Sequence, residues 1–360
     1  MGIGRFAFTP ILPMMQEDGV LGVREGAWLA CANYAGYLLG ALAAMCVEVD
    51  QRFAIRFGLI ATALATLGMA FTGNFIAWLA LRALPGFASA WVLVYVSAWS
   101  LERLGNAGRT DLNGTVYAGV GTGIVFAGLA CLAVSQARGG ARDAWLALGS
   151  SATLAAIALW PIAGRDSRSD GSSAPSPTIP AREIAGFWRL VFCYGAFGLG
   201  YIIPATFLPV MARRIVSDPL WFGWAWPAFG AAAVVSTLLT APATRHLGNR
   251  DVWILGYMVM AFGVLVPIVA PGIAGIVIAA VCVGGSFMVI SMAGLQEAKR
   301  VAGSRARLLM AAMTAAFAAG QIIGPLLVGG LAGPGDGFNA ALIAAALPLL
   351  CAAGALFVSR

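Results

Sequence analysis

The chain has 360 residues, 60% of them hydrophobic and only 10% charged, with a net charge of +7 and a mean hydropathy of +0.87. Soluble domains carry about 25% charged residues, so the composition excludes a soluble globular protein, and the basic excess becomes a statement about membrane topology rather than about nucleic acid. The apolar runs are continuous and do not alternate, which excludes a membrane β-barrel.

The first element is the opening run "MGIGRFAFTPILPMM", an apolar stub that carries a cation, Arg5. After it, apolar runs long enough to cross a hydrocarbon core about 30 Å thick lie near 26–47, 55–73, 75–100, 115–136, 143–163, 185–212, 220–242, 252–271, 273–296, 306–332 and 338–358. That is an all-α polytopic protein of eleven full helices plus the stub. The long polar stretch "GRDSRSDGSSAPSPTIPARE" divides these spans into two sets of six, predicting bundles over 1–163 and 185–360 joined by a linker over 164–184.

Loops on alternate sides separate Lys and Arg unequally, fifteen on the side of the linker and the carboxyl terminus against five on the other, while Arg5 and Arg82 fall inside spans. The positive-inside rule then puts the linker and the carboxyl terminus in the cytoplasm.

The two halves repeat. A shift of 196 positions lays "GIGRFAFTPILPMM" on "GLGYIIPATFLPVM", matching Gly2 with Gly198, Gly4 with Gly200, Leu12 with Leu208, Pro13 with Pro209 and Met15 with Met211. A shift of 201 lays Gly119, Gly123 and Gly128 on Gly320, Gly324 and Gly329. Such parallel repeats are how many transporters are built. The repeat pairs Arg5 with Tyr201, close to the middle of its span, and so predicts Arg5 near the bilayer midplane. On that register the first helix would start about ten residues before Met1; otherwise Met1 is the true start and Arg5 snorkels to the surface from a helix end.

The stretches "GIGRFAFTPILPMM", "NYAGYLLGAL", "LRALPGFASAWVLV", "GVGTGIVFAG", "GGSFMVISMAGLQEAKR" and "AFAAGQIIGPLLVGGL" resemble the YbfB-like branch of the major facilitator superfamily over essentially the whole chain. The resemblance implies twelve helices in two six-helix bundles around a central cavity, alternating access and a bacterial inner membrane. It also aligns Arg82 with the superfamily's fourth-helix arginine, linked to coupling and gating. The superfamily's charged loop after the second helix is stretched here to "GALAAMCVEVDQRFAIR", with Gly40, Asp50, Arg52 and Arg56.

No Asp or Glu falls in the middle of a span, which disfavours a pump for lipophilic cations and a proton relay of buried carboxylates. Arg5 cannot shed its charge, so a substrate carboxylate, sulfonate or phosphate is its natural counter-ion, held by a bidentate pair. Tyr201, the repeat mate of Arg5, with Asn33 and Tyr37 at four-residue spacing and Gln321 in "GQIIGP", completes the candidate substrate set. Each has packing as its alternative, and Gln321 bonding between helices. Arg82, Asp50 and Arg52, with Gly320, Gly324 and Pro325, form the candidate gating set; the glycines allow close helix approach and Pro325 softens its helix. Trp221, Trp224 and Trp226 are expected in the interfacial aromatic belt.

Six dispersed cysteines, a single histidine in the loop "TRHLGNR", and no HExxH or GxxxxGK[ST] point away from a membrane enzyme, a metal site, a cofactor or direct ATP drive. The reading is a monomeric secondary transporter for a small organic anion, with protons as candidate coupling ions. An exporter of neutral or amphipathic compounds and a non-transporting sensor are the alternatives.

Overall fold

The structure, a computed structural model, describes residues 1–47, 49–161, 187–215, 223–331 and 337–358. Glu48, Trp221 and the whole of the expected linker lie outside the described residues.

Those residues form thirteen α-helices and no strand. In chain order they are α1 (Gly2–Phe6), α2 (Phe8–Glu17), α3 (Val23–Cys46), α4 (Gln51–Gly68), α5 (Phe75–Asn106), α6 (Asn113–Gln136) and α7 (Ala141–Leu159) in the first half, then α8 (Trp188–Ile215), α9 (Ala225–Leu247), α10 (Asn249–Val269), α11 (Ile273–Ala302), α12 (Ala306–Leu331) and α13 (Gly337–Phe357) in the second. Among the described residues, eight stretches are long and apolar enough to span a membrane, and one of them, Ile273–Leu326, runs through α11 and α12 together.

The opening segment is helical but broken at Ala7. Pro10 has no N–H to give the carbonyl of Phe6, four residues back, so the ladder loses a bond there and the helix divides into α1 and α2.

The helices are close-packed through glycine. A Cβ on Gly36 would stand 2.0 Å from the carbonyl oxygen of Ala83, and one on Gly86 2.2 Å from that of Asn33, so α3 and α5 touch backbone to backbone. Between the halves, α6 meets α9 along Gly121 and Gly230, and Pro227 covers Gly128. The repeat is visible in packing: Gly2 lies on Gly123, joining α1 to α6, and Gly198 lies on the Phe317 backbone, joining α8 to α12. Gly119 is different, because nothing stands within 4 Å of its Cβ position; the close approach expected of it is made by Gly123 alone.

Helix ends account for several acids. Glu25 accepts from Gly22 N at the start of α3, Asp50 from Phe53 N at 3.1 Å at the start of α4, and Asp143 from Gly140 N at 3.1 Å at the start of α7. Asp18 adds a second acceptor there, 2.7 Å from Ala141 N. Each satisfies an N-terminal N–H group that the helix leaves open and sits at the positive end of its dipole. These carboxylates serve helix ends.

Candidate functional site

Arg5 is 4% exposed, on the short helix α1 where the two halves meet. It does not snorkel. Its Nη2 donates to Oε1 of Gln321 on α12, and its guanidinium carbon stands 3.7 Å from the centroid of the Tyr37 ring on α3. Phe6 and Phe317 supply further ring faces at 5.6 and 5.8 Å. Delocalised charge over aromatic faces is a favourable arrangement in a desolvated setting.

Tyr201 lies one ring further out. It stacks on Phe287 at 4.4 Å and an interplanar angle of 16°, and its centroid is 6.2 Å from that of Phe317. Arg5 and its repeat mate therefore flank the same phenylalanine.

Arg82, 3% exposed, reaches across from α5 to the broken segment. It donates through Nη1 to the carbonyl of Gly4 at 3.3 Å and through Nη2 to that of Arg5 at 3.4 Å, and its guanidinium faces the Phe8 ring at 4.5 Å. These contacts hold both pieces of the interrupted helix from one side chain. Asn33 donates to the carbonyl of Arg82 at 2.9 Å, so its amide N–H joins α3 to α5. The Asn33 Oδ1 and Arg82 Nε atoms are buried without a hydrogen-bond partner.

Among the described residues no carboxylate stands within ion-pair distance of Arg5 or Arg82. Arg5 is thus buried where the halves meet and Arg82 within the first half beside it, held by a neutral amide, backbone carbonyls and rings.

The expected gating residues are scattered. Asp50 caps α4, and Arg52 is half-buried in the first turn of the same helix. Gly320 presses on α8, where a Cβ would stand 2.4 Å from the carbonyl of Gly195; Gly324 does the same against Ile202, and Pro325 lies inside α12. Gly320 also floors a groove of about 770 Å³ on the outer face between α8, α12 and α13, with Trp188, Leu199, Ile323 and Pro348 in its walls. The next residue, Gln321, reaches Arg5.

Three features escape a reading of the sequence. Glu297, near the end of α11, is an almost fully buried acid, paired with Arg250 Nε at 2.5 Å and with Arg300 Nη2 at 2.6 Å. It falls one residue beyond the apolar run, where "GLQEAKR" reads as a helix end leading into a loop. Arg307, in the first turn of α12, donates to the carbonyl of Ala44 at 2.9 Å and to the Tyr95 hydroxyl at 3.4 Å. A second-half arginine thereby holds the last turn of α3, a favourable place for a cation at a helix C-terminus. Finally, Trp226 is no belt residue. It is 9% exposed, stacked on Phe229 at 5.2 Å and 6.5 Å from Phe6, whereas Trp224 is 55% exposed.

Glycine-packed helices, eight stretches long and apolar enough to cross a membrane among the described residues, and a cation buried where two halves meet are the features of a multi-pass membrane protein. A family model described as "Uncharacterised MFS-type transporter YbfB" matches residues 1–358, and the chain belongs to that family of the major facilitator superfamily. Its fold is similar to that of the human organic anion transporter MFSD10 (TETRAN), with a TM-score of 0.69 at 13% sequence identity, the match covering 99% of this chain and 96% of that one. A search of curated proteins with the sequence finds no match.

Proposed function

We propose that the protein is a secondary transporter that carries a small organic anion across the bacterial inner membrane by alternating access, with the segment 164–184 and the carboxyl terminus on the cytoplasmic side. The observation that carries this reading is Arg5, a permanent cation buried where the halves meet, whose side-chain hydrogen bond goes to the neutral amide of Gln321. A buried charge needs a counter-charge, and a carboxylate, sulfonate or phosphate arriving as cargo can replace the amide with a charge-assisted pair.

Arg5, Gln321 and Tyr37 form the anion site, with Tyr201 on its rim. Arg82 and Asn33 position the first segment under it. The excess of arginine on one side supports the orientation, and the organic anion transporter of similar fold accords with the substrate class. With no carboxylate among the described residues within ion-pair distance of Arg5, a proton accompanying the cargo could travel on the cargo itself.

Proteoliposome flux tests the reading. Wild-type protein should move radiolabelled organic acids down an imposed gradient. Arg5→Lys, which keeps the charge but loses the bidentate fork, should lower the apparent affinity, and Arg5→Gln should abolish uptake. Equal uptake by wild type and Arg5→Gln would overturn the proposal.

A further inference from the structure

The organic part of the cargo is legible in what surrounds Arg5, given the reading above that the cargo is an anion. Rings gather there from both halves. Phe6 meets Phe287 edge to face at 5.7 Å and Trp226 at 6.5 Å, and Tyr37 meets Phe317 edge to face at 6.3 Å. These three contacts join a first-half ring to a second-half ring. Behind them, Phe197 lies 4.8 Å from Phe317 and Tyr201 stacks on Phe287, so the second-half side is a continuous aromatic wall. Most of these rings are almost completely buried.

Alternating access requires the halves to part on one side and then on the other. Parting pulls the three ring pairs open and exposes ring faces around a guanidinium. An aliphatic ligand covers that area but cannot restore edge-to-face or stacked geometry, whereas an aromatic ring restores both. A carboxylate attached directly to such a ring would reach Arg5 while the ring lies between Phe6, Phe317 and Phe287.

We infer that the cargo is an aromatic carboxylate, its carboxylate on Arg5 and its ring between the ring faces of Phe6, Phe317 and Phe287 that separate when the halves part. Each ring pair adds on the order of two- to tenfold in affinity beyond the area it buries. An aromatic acid should therefore exceed a saturated acid of the same size.

The test titrates the purified full chain, in lipid nanodiscs, with benzoate, cyclohexanecarboxylate, acetate and benzyl alcohol, following heat by calorimetry. Benzoate should bind about tenfold more tightly than cyclohexanecarboxylate, with acetate weaker than both. Phe287→Leu should weaken benzoate more than cyclohexanecarboxylate and so narrow the gap between them to about twofold, with a cooperative thermal melt of the variant in nanodiscs showing that it is folded. Cyclohexanecarboxylate binding as tightly as benzoate would overturn the aromatic assignment and leave the anion reading standing. Benzyl alcohol binding while no carboxylate does would overturn both.

Discussion

Replacing Gln321 by glutamate tests the site at a single atom. Gln321 Oε1 already accepts from Arg5, and both side chains are buried, so the substitution changes charge while keeping shape. A carboxylate about 4 Å from the guanidinium centre gains about 4 kcal/mol at an effective dielectric of about 20. Desolvating that carboxylate takes back several kcal/mol, so the folded state itself shifts little. The incoming anion faces a different comparison. In the wild type it replaces a neutral amide; in the variant it must displace a carboxylate or bind beside one. The difference is roughly the Coulomb gain, about 4 kcal/mol, or about a thousandfold in Kd. Calorimetric titration of benzoate into the variant should show no measurable binding at concentrations that saturate the wild type. Gln321→Leu, which removes the hydrogen bond without adding charge, should keep benzoate binding to within about tenfold. Wild-type affinity in Gln321→Glu would refute the reasoning, because an anion insensitive to a charge placed against Arg5 cannot be held by Arg5.

Other variants probe the scaffold. Arg82→Met leaves two carbonyls of the broken segment without their donor and should destabilise the protein by about 2–4 kcal/mol, read as a lower melting temperature in nanodiscs together with weaker benzoate binding. Gly36→Val forces a side chain into the Ala83 backbone and should cost about 1–3 kcal/mol or more, whereas Gly119→Ala, in open space within α6, should stabilise by about 0.5–1 kcal/mol; thermal melts of the pair would show the opposite signs. Arg307→Ala removes the donor to Ala44 and Tyr95. It should raise the labelling rate of a cysteine placed at Ala44 by about tenfold, measured with a membrane-impermeant maleimide against the same cysteine on the wild-type background.

Much of this was legible in the sequence because a membrane simplifies the code. Apolar runs without alternation fix the helices, since backbone groups in hydrocarbon must be satisfied within the segment. The glycine repeat indicates which helices touch: Gly2 and Gly198 each make a close contact with the corresponding neighbour, α6 and α12. Arg5 stands out because a guanidinium in an apolar run has few tolerable surroundings. What stayed hidden depends on contacts far apart in the chain. Gln321 reaches Arg5 across 316 positions, and a lone amide near a proline carries no local mark of its partner. The three-dimensional neighbourhood of Trp226 is equally invisible, because a tryptophan next to a loop reads as a belt residue until the ring it meets, Phe6, is known. Glu297 was hidden by its position at the edge of an apolar run, where acids normally meet water.

A neutral amide is a well-matched partner for a cation that must both stay buried and let go. With no partner, the guanidinium would be uncompensated in the interior, a cost of several kcal/mol. With a resident carboxylate, any cargo anion would have to beat an ion pair before binding. The Arg5–Gln321 contact lies between, since a hydrogen bond from a charged donor to a neutral acceptor contributes about 1.5–3 kcal/mol net, which a bidentate carboxylate exceeds. It also joins α1 to α12, and thus the first half to the second. On the proposed reading, cargo that takes Arg5 from Gln321 would do two things at once: neutralise the buried charge and remove a bond that joins the halves. A ligand shifts a conformational equilibrium only by its difference in affinity for the two states. Under the proposal that difference would reside in one guanidinium, which can satisfy the amide or the anion but gains most from the anion.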